Sequence, residues 1–420
     1  MSSAAKFFEV LVERMDEVLP LLQARVSSCG YPVYASLDIR DSGWKVCAVD
    51  VNLFPAGFNV LTANDRARGS QRMREFLAAK LLKTAPWKIT VVPESHTNNA
   101  GYLENLSGIL GLLREAGCEV RLAWSGPPIP KAWPLKTASG AVLEYLPPQV
   151  ALEGADAILL NHDLSGGLPA FLKDVHLPTF PSPKLGWYRR RKSDHQQIVE
   201  GLLKSIARQL DFFDPWYFAP LSWTIPLPDL STDEGIDHLA NKVDQMIETL
   251  KRGYGEREIG ETPRVFVKND AGTYGLGVLS VASGQEVRER RKWIQEKMRK
   301  GKGAVAVENL ILQEAVPTAL SYGADENLVV GEPVLYLVNG LAIGGFLRIQ
   351  EKLGSEGRWL NLNQPGAKLE ALDCVMTRPE ERPFAKIRGR SPCEQLSLPH
   401  VYAFIARLHA TAAGLEECPA

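Results

Sequence analysis

Residues 265–281, VFVKNDAGTYGLGVLSV, carry the side chains best suited to chemistry. The β-branched and aromatic run 265–267 reads as a buried strand. It leads into Lys268, then a loop with Gly272, Gly275 and Gly277, then a second strand over 278–281. Glycine admits positive φ and lets a backbone approach a ligand with no Cβ in the way. Successive loop N–H groups can cradle phosphate oxygens while a lysine supplies a point charge. No helix follows the loop, so neither the Walker nor the Rossmann fingerprint applies. A strand, a lysine, a glycine loop and a strand point to a flap over a nucleotide triphosphate; the plain alternative is a hairpin with a wide glycine turn.

The elements that must position this loop follow from periodicity. Residues 5–28 read as an opening helix, with Phe8, Leu11, Val12, Met15, Val18, Leu21 and Leu22 on one stripe and a kink or split at Pro20. VYASLDIR and WKVCAVDVN form a strand pair about a turn at Asp41-Ser42-Gly43. A strand at 88–92, a helix over 103–116 stopped by Gly117, and a strand at 119–123 alternate as β-α-β, which implies a parallel, doubly wound α/β half-domain. One more buried strand, 157–160, opens into NHDLSGGLP. Pro178, Pro181 and Pro183 mark a linker. Beyond it, Ser193 and Asp194 start a helix, and further helices cover 233–251 and 285–300. The strands NLILQEAV, VLYLVNG and LAIGGFLRI follow, the last two joined by a turn at Asn339-Gly340, and a helix over 401–413 ends the series. Helices on a largely antiparallel sheet make this half α+β. The expected division is 1–180, 181–262 and 263–420.

Composition excludes more than it assigns. Lysine plus arginine number 48 against 49 aspartate plus glutamate, a net charge of -1 that argues against a general nucleic-acid or anionic-membrane binder. Cys29, Cys47, Cys118, Cys374, Cys393 and Cys418 form no CxxC pair and no zinc-finger spacing. Reduced thiols, an amphipathic and partly acidic first segment unlike a signal peptide, and no apolar run near the roughly 20 residues of a membrane span set the expectation of a soluble cytoplasmic protein.

Lys192 near a helix start, the Lys268 glycine hairpin, the strand ILQEAV and the hairpin EPVLYLVNGLAIGGFLRI occur in an order that resembles the ATP-grasp superfamily. Its members join a carboxylate to an amine with ATP. More closely, VYASLDIRDSGWKVCAVDVNLFPAGFN, PESHTNNAGYLENLSGIL, ILLNHDLSGGLP, FVKNDAGTYGLGV and NLNQPGA together resemble the proteobacterial ATP-grasp-type glutamate–cysteine ligases, over roughly residues 33–367. The resemblance implies an N-terminal doubly wound half-domain followed by an ATP-grasp fold with a glycine-rich flap. It implies ATP and Mg²⁺, with glutamate and cysteine as substrates and γ-glutamylcysteine as product. Its alternatives are another carboxylate–amine ligase, glutathione-synthetase-like or D-alanine-ligase-like, and a nucleotide-binding protein without catalysis.

Residue by residue, the resemblance gives Lys192 and Lys268 to the α/β-phosphates, although Lys192 lies in RRRK, which reads equally as a solvated basic run. Gly272, Gly275 and Gly277 would cover the phosphates and exclude water from an acyl phosphate. Gln313 and Glu314 would read adenine; an internal salt bridge would serve a carboxylate there equally well. Glu332 would bind ribose or metal, or cap a strand. Arg348 would clamp the acyl phosphate or a substrate carboxylate. For Mg²⁺ the candidates are Glu332 with Asn361 and Asn363, or Asp373 or Glu381 if NLNQPGA is a substrate loop. For glutamate the candidates are Arg40, Asp50, Asn52, Asn59 and Asn161, with Asp163 beside them, at strand ends and in the following loops. His96 is a lone loop histidine, read as structural or incidental.

Overall fold

Buried side chains alternate along Val329–Val338: Val334, Tyr336 and Val338 enter one core while Leu335 and Leu337 enter another. A strand of period two can do this only where both sheet faces are covered. The structure is a computed structural model that describes residues 3–26, 29–95, 99–126, 134–271, 278–298, 307–322, 329–350, 355–360, 362–363, 366–372, 385–387 and 398–418. Within it, Val329–Val338 is the middle of an antiparallel sheet ordered Lys368–Ala371, Leu341–Gln350, Val329–Val338, Tyr34–Asp41, Val46–Asn52. The Asn339-Gly340 turn joins two of these strands with φ of 51° and 74°, the left-handed pair a tight hairpin requires. The early hairpin forms as its sequence indicates. Its partner lies far away: Tyr34 pairs with Val338 and Asp38 with Val334, so the two ends of the chain share one sheet.

One face of that sheet packs on Lys192–Ala207 and Leu398–Glu417 through Val199, Leu203, Phe404 and Leu408. The other packs on Ala63–Leu81, Ala100–Glu115 and a parallel sheet. The parallel sheet runs Tyr145–Leu146, Cys118–Ala123, Trp87–Pro93, Ala157–Asn161, Thr179–Phe180, which bears out the β-α-β reading. A third, four-stranded antiparallel sheet runs Ser222–Pro226, Asn309–Glu314, Val265–Asn269, Val278–Val281, with Asp233–Gly255 across its face. No described helix is long and apolar enough to cross a membrane.

Three helix boundaries differ from the sequence reading. The opening helix splits at Arg14 into Ser3–Glu13 and Met15–Val26, with Pro20 inside the second piece. Pro20 is the sixth of the twelve residues of this second helix, where its missing N–H forfeits one intrahelical bond. The 285–300 segment forms two short helices, Gly284–Glu289 and Arg291–Lys297. Lys192–Ala207 does not cap itself: Ser193 donates from its N–H and its Oγ to the Asp270 carboxylate, at 2.9 and 2.8 Å. A carboxylate at a helix N-terminus satisfies orphan donors and the helix dipole together. Because Asp270 directly follows Val265–Asn269, this contact ties the two lysine-bearing segments to each other.

Candidate active site

Three elements converge on one cleft: the edge strand Val46–Asn52, the four-stranded sheet, and the first turns of Lys192–Ala207. The cleft encloses about 330 Å³, with Asp50, Lys192, Ser222, Thr224, Lys268, Gln313 and His409 among its walls. Lys268 keeps only 8% of its exposure. Its Nζ donates to Gln313 Oε1 at 2.6 Å and approaches the Val49 carbonyl at 3.4 Å. Burial, then the neighbouring Lys192 charge, pulls the Lys268 ammonium down to about 8. Lys192 Nζ pairs with Asp50 Oδ1 at 2.8 Å and lies 5.6 Å from the centre of the Trp187 ring.

A smaller cavity of about 50 Å³ continues the cleft, bordered by Asp38, Arg40, Asp50, Lys192, Lys268, Glu332 and Asn363. Strand register supplies its charges. Glu332 pairs with Arg348 across one ladder and Asp38 with Asp50 across another. Arg348 Nη1 donates to Asp38 Oδ2 at 3.0 Å and to Glu332 Oε1, and Arg40 Nη2 meets Glu332 Oε2 at 2.9 Å. Burial, against the pull of Arg348 and with the push of Glu332 and Asp50, raises Asp38 above the usual aspartate range. Four cations, Arg40, Lys192, Lys268 and Arg348, thus stand against three carboxylates, Asp38, Asp50 and Glu332. Arg40 Nε is buried with no hydrogen-bond partner among the described residues. An excess of positive charge with a spare donor fits a polyanion; the carboxylates of Asp38, Asp50 and Glu332 that border the same cavity are paired with Arg348, Lys192 and Arg40.

Six sequence candidates, Lys192, Lys268, Glu332, Arg40, Asp50 and Asn363, therefore meet at one place, and Arg348 adjoins them. Others do not. Glu314 is fully buried and accepts from Lys45 Nζ at 2.6 Å, the Leu221 N–H at 3.0 Å and the Tyr254 hydroxyl at 3.0 Å. Its carboxylate is held by the internal salt bridge and is sealed away from the cleft. Gln313 lines the cleft, yet its amide is spent on Lys268 and on Ser222 Oγ, 3.1 Å away. Asn52 caps the Phe54 N–H at 3.0 Å, and Asn59 lies exposed on a short 3-10 turn. Asn161 forms a knot with Asn105, Tyr102 and the Pro55 carbonyl at the end of the parallel sheet. Beside it, Glu94, His162 and Asp163 bring ligand atoms within 4.8 Å of one another, an arrangement able to hold a cation away from the main cleft. Gly272, Gly275, Gly277, Asn361, His96, Asp373 and Glu381 lie outside the described residues, as does the flap itself.

A family model described as GshA, glutamate-cysteine ligase, matches residues 9–417. The chain belongs to the glutamate–cysteine ligase family. A solved structure of a candidate gamma-glutamylcysteine synthetase from Methylobacillus flagellatus is 30% identical, with 98% of this chain and 95% of that chain aligned at a TM-score of 0.83. D-alanyl-alanine synthetase A from Vibrio cholerae is 12% identical over 78% of this chain and 82% of that one, at a TM-score of 0.32. A glutathione synthetase-like effector from Globodera pallida is 11% identical over 83% and 85%, at 0.40. At those scores the last two share too little geometry to bear on the fold. No curated protein matches.

Within this glutamate–cysteine ligase family member, the sequence reading missed two groups at the cleft. Asp38 was passed over because nothing local distinguishes it from a surface aspartate on an alternating strand. The second group is Arg190, His195, His409 and Glu416, all of them close to fully buried. A sequence signal existed for it. His409 and Glu416 are seven residues apart on the largely apolar helix Leu398–Glu417, two turns along one face, where buried polar groups are costly unless they meet.

Proposed function

We infer that this chain is an ATP-dependent ligase that joins the γ-carboxylate of glutamate to the amine of cysteine through an acyl phosphate. Its products would be γ-glutamylcysteine, ADP and phosphate. Family membership supports the two amino acids; the cluster of four cations facing three carboxylates at the cleft supports the phosphate chemistry. Phosphoryl transfer between anions needs charge neutralisation and in-line positioning more than acid–base work. In this reading Lys192 and Lys268 hold the α/β-phosphates. Gly272, Gly275 and Gly277, which lie in sequence between Val265–Asn269 and Val278–Val281, would cover the nucleotide in an ATP-grasp arrangement. Arg348, fixed by Asp38 and Glu332, presents a guanidinium for the acyl phosphate. Asp50, Glu332 and Asn363 would be the oxygen donors for Mg²⁺, with Asn361 two residues from Asn363; the ion would neutralise phosphate charge when bound. Arg40, whose Nη groups donate to the Arg358 and Leu360 carbonyls and meet Glu332, would offer its Nε to a substrate carboxylate. The four-stranded sheet, which crosses the expected 262/263 boundary by pairing Ser222–Pro226 with Asn309–Glu314, would then be one grasping half and the sheet of Val329–Val338 with residues 34–52 the other, beside the rest of the 1–180 segment, all in the cytoplasm.

The test is ADP release with ATP and Mg²⁺, offering glutamate and cysteine singly and together. ADP only with both, and γ-glutamylcysteine identified by mass, is the expected result. ADP with glutamate and a different amine would keep the chemistry and change the acceptor. No stimulation by any amino-acid pair would sink the ligase reading.

A further inference from the structure

Cys29 and Cys418 stand near opposite ends of the sequence, yet the fold brings them together, each half-buried and open in part to solvent. The helix Leu398–Glu417 lays its last turns directly on the loop that follows Met15–Val26. A Cβ on Gly414 would fall 2.3 Å from the Gly30 carbonyl oxygen, so the two backbones touch. Cys418 stands four residues beyond Gly414, one turn further on at the helix end, and Cys29 immediately precedes Gly30. The thiols accordingly meet, and Cys418 is hydrogen-bonded to Cys29. That bond, then burial, raises the Cys418 thiol, against the pull of Lys80. The Lys80 ammonium stands 3.5 Å from the Cys29 carbonyl, a cation beside the pair of the kind that favours thiolate.

The other cysteines form no such pair among the described residues. Cys47 and Cys118 are buried in different sheets, and Cys374 and Cys393 lie outside the described residues. The ligase chemistry uses neither Cys29 nor Cys418, and neither borders the cleft or the smaller cavity. Their position still matters to the cleft. Cys418 is two residues past Glu416, whose carboxylate takes Arg190 Nε at 2.7 Å and Nη2 at 3.1 Å, and Arg190 is one of the cleft walls. A bond between the two sulfurs would fasten the turn that carries Glu416 to the loop at the other end of the chain.

We propose that Cys29 and Cys418 are a modification site: a thiol pair that exchanges with small-molecule disulfides and closes into a reversible disulfide, pinning the end of Leu398–Glu417. The thiolate of one residue attacks a disulfide RSSR, forms a mixed disulfide and expels RS⁻. The other thiol gives up its proton and displaces the remaining RS⁻, which closes the Sγ–Sγ bond. Two protein thiols are oxidised and one RSSR is reduced to two RSH. Partly exposed, paired thiols are the setting in which such exchange runs to a protein disulfide. The site stands apart from the ligase reading and needs no nucleotide.

The test exposes the reduced full chain to cystine, alkylates the thiols that remain, and reads intact mass and peptide maps. Wild type is expected to lose two hydrogens and keep no adduct, with Cys29 joined to Cys418 and the bond opened again by dithiothreitol. Cys29→Ser and Cys418→Ser, both at partly exposed positions, should lose the cross-link and stop at the first step, with a cysteinyl group on the thiol that is left. In oxidised wild type the amides of residues 414–417 should exchange with solvent about tenfold more slowly than in the reduced protein, because the helix end can no longer fray. A wild type that stays reduced, keeps a cysteinyl adduct or joins either residue to another cysteine overturns the pair, as does a cross-link that survives in either variant. Unchanged exchange at 414–417 in the oxidised protein overturns the pinning.

Discussion

Lys268→Met separates two effects of one buried ammonium. In the free protein the charge is unwelcome: its drop from the ordinary lysine value of 10.5 to about 8 corresponds to roughly 3 kcal/mol against the charged form at neutral pH. The folded value lies below the unfolded one, so this cost is complete below pH 8, shrinks above it and is gone once both states are neutral. Methionine removes the cost at similar volume but strands Gln313 Oε1, which accepts from Lys268 at 2.6 Å, a loss of about 1–3 kcal/mol. The two nearly offset, and the variant should equal or slightly exceed wild type in stability without ligand. Nucleotide affinity should move the other way. A charged hydrogen bond to phosphate contributes about 1.5–3 kcal/mol, or roughly 10- to 150-fold in Kd. Denaturant titration of the free proteins and calorimetric titration with a non-hydrolysable ATP analogue measure the two quantities. Wild-type affinity in the variant would remove Lys268 from the phosphate site. A loss of more than about 4 kcal/mol in stability would refute the assignment of its charge as a net burden before ligand binds.

Three further outcomes follow from the same charges. Because Lys268 titrates near 8 and a triphosphate would raise that value, ATP affinity should be flat below pH 8 and fall above it, with proton uptake appearing in calorimetry across buffers of different ionisation heat; pH-independent affinity from 7 to 9 would contradict it. Glu314→Gln leaves Lys45, 1% exposed, without its carboxylate and should cost about 3–5 kcal/mol of stability, read by denaturant titration, with the ATP affinity of the folded fraction within a few-fold of wild type. Arg348→Lys keeps a charge but loses the two-pronged grip on Asp38 and Glu332; kcat should fall by about 10²-fold or more with ATP affinity within a few-fold of wild type, and near-normal kcat/KM would make Arg348 structural.

Local elements were readable because their causes are local. The strands and helix between Trp87 and Ala123 follow from apolar period and a glycine stop, and Asn339-Gly340 dictates its own turn. What sequence could not supply was pairing at a distance. Glu314 ends an apolar strand and so needs a partner, but that partner, Lys45, lies 269 residues away on another sheet. Asp50 and Arg40 stand out in sequence only by their position near strand ends; their actual placement depends on Val329–Val338 receiving Tyr34–Asp41. Asn161 was picked on the same ground and proved to be a hub for Asn105, Tyr102 and Pro55. Lysines and arginines with one dominant role survive such guessing; amides, which satisfy backbone as readily as ligand, do not.

The union of Tyr34–Asp41 with Val329–Val338 also sets a schedule for synthesis. A growing chain makes its early hairpin long before the strand that will flank it, and at about 5–20 residues per second the wait is roughly 15–60 s. A two-stranded ribbon is marginal alone, and its open edge is a template for neighbouring chains. Asp38 and Arg40 on that edge strand, and Asp50 on its partner, are the kind of charge that discourages such pairing. The side chains gathered at the cleft in the finished protein therefore also guard the nascent hairpin on the ribosome.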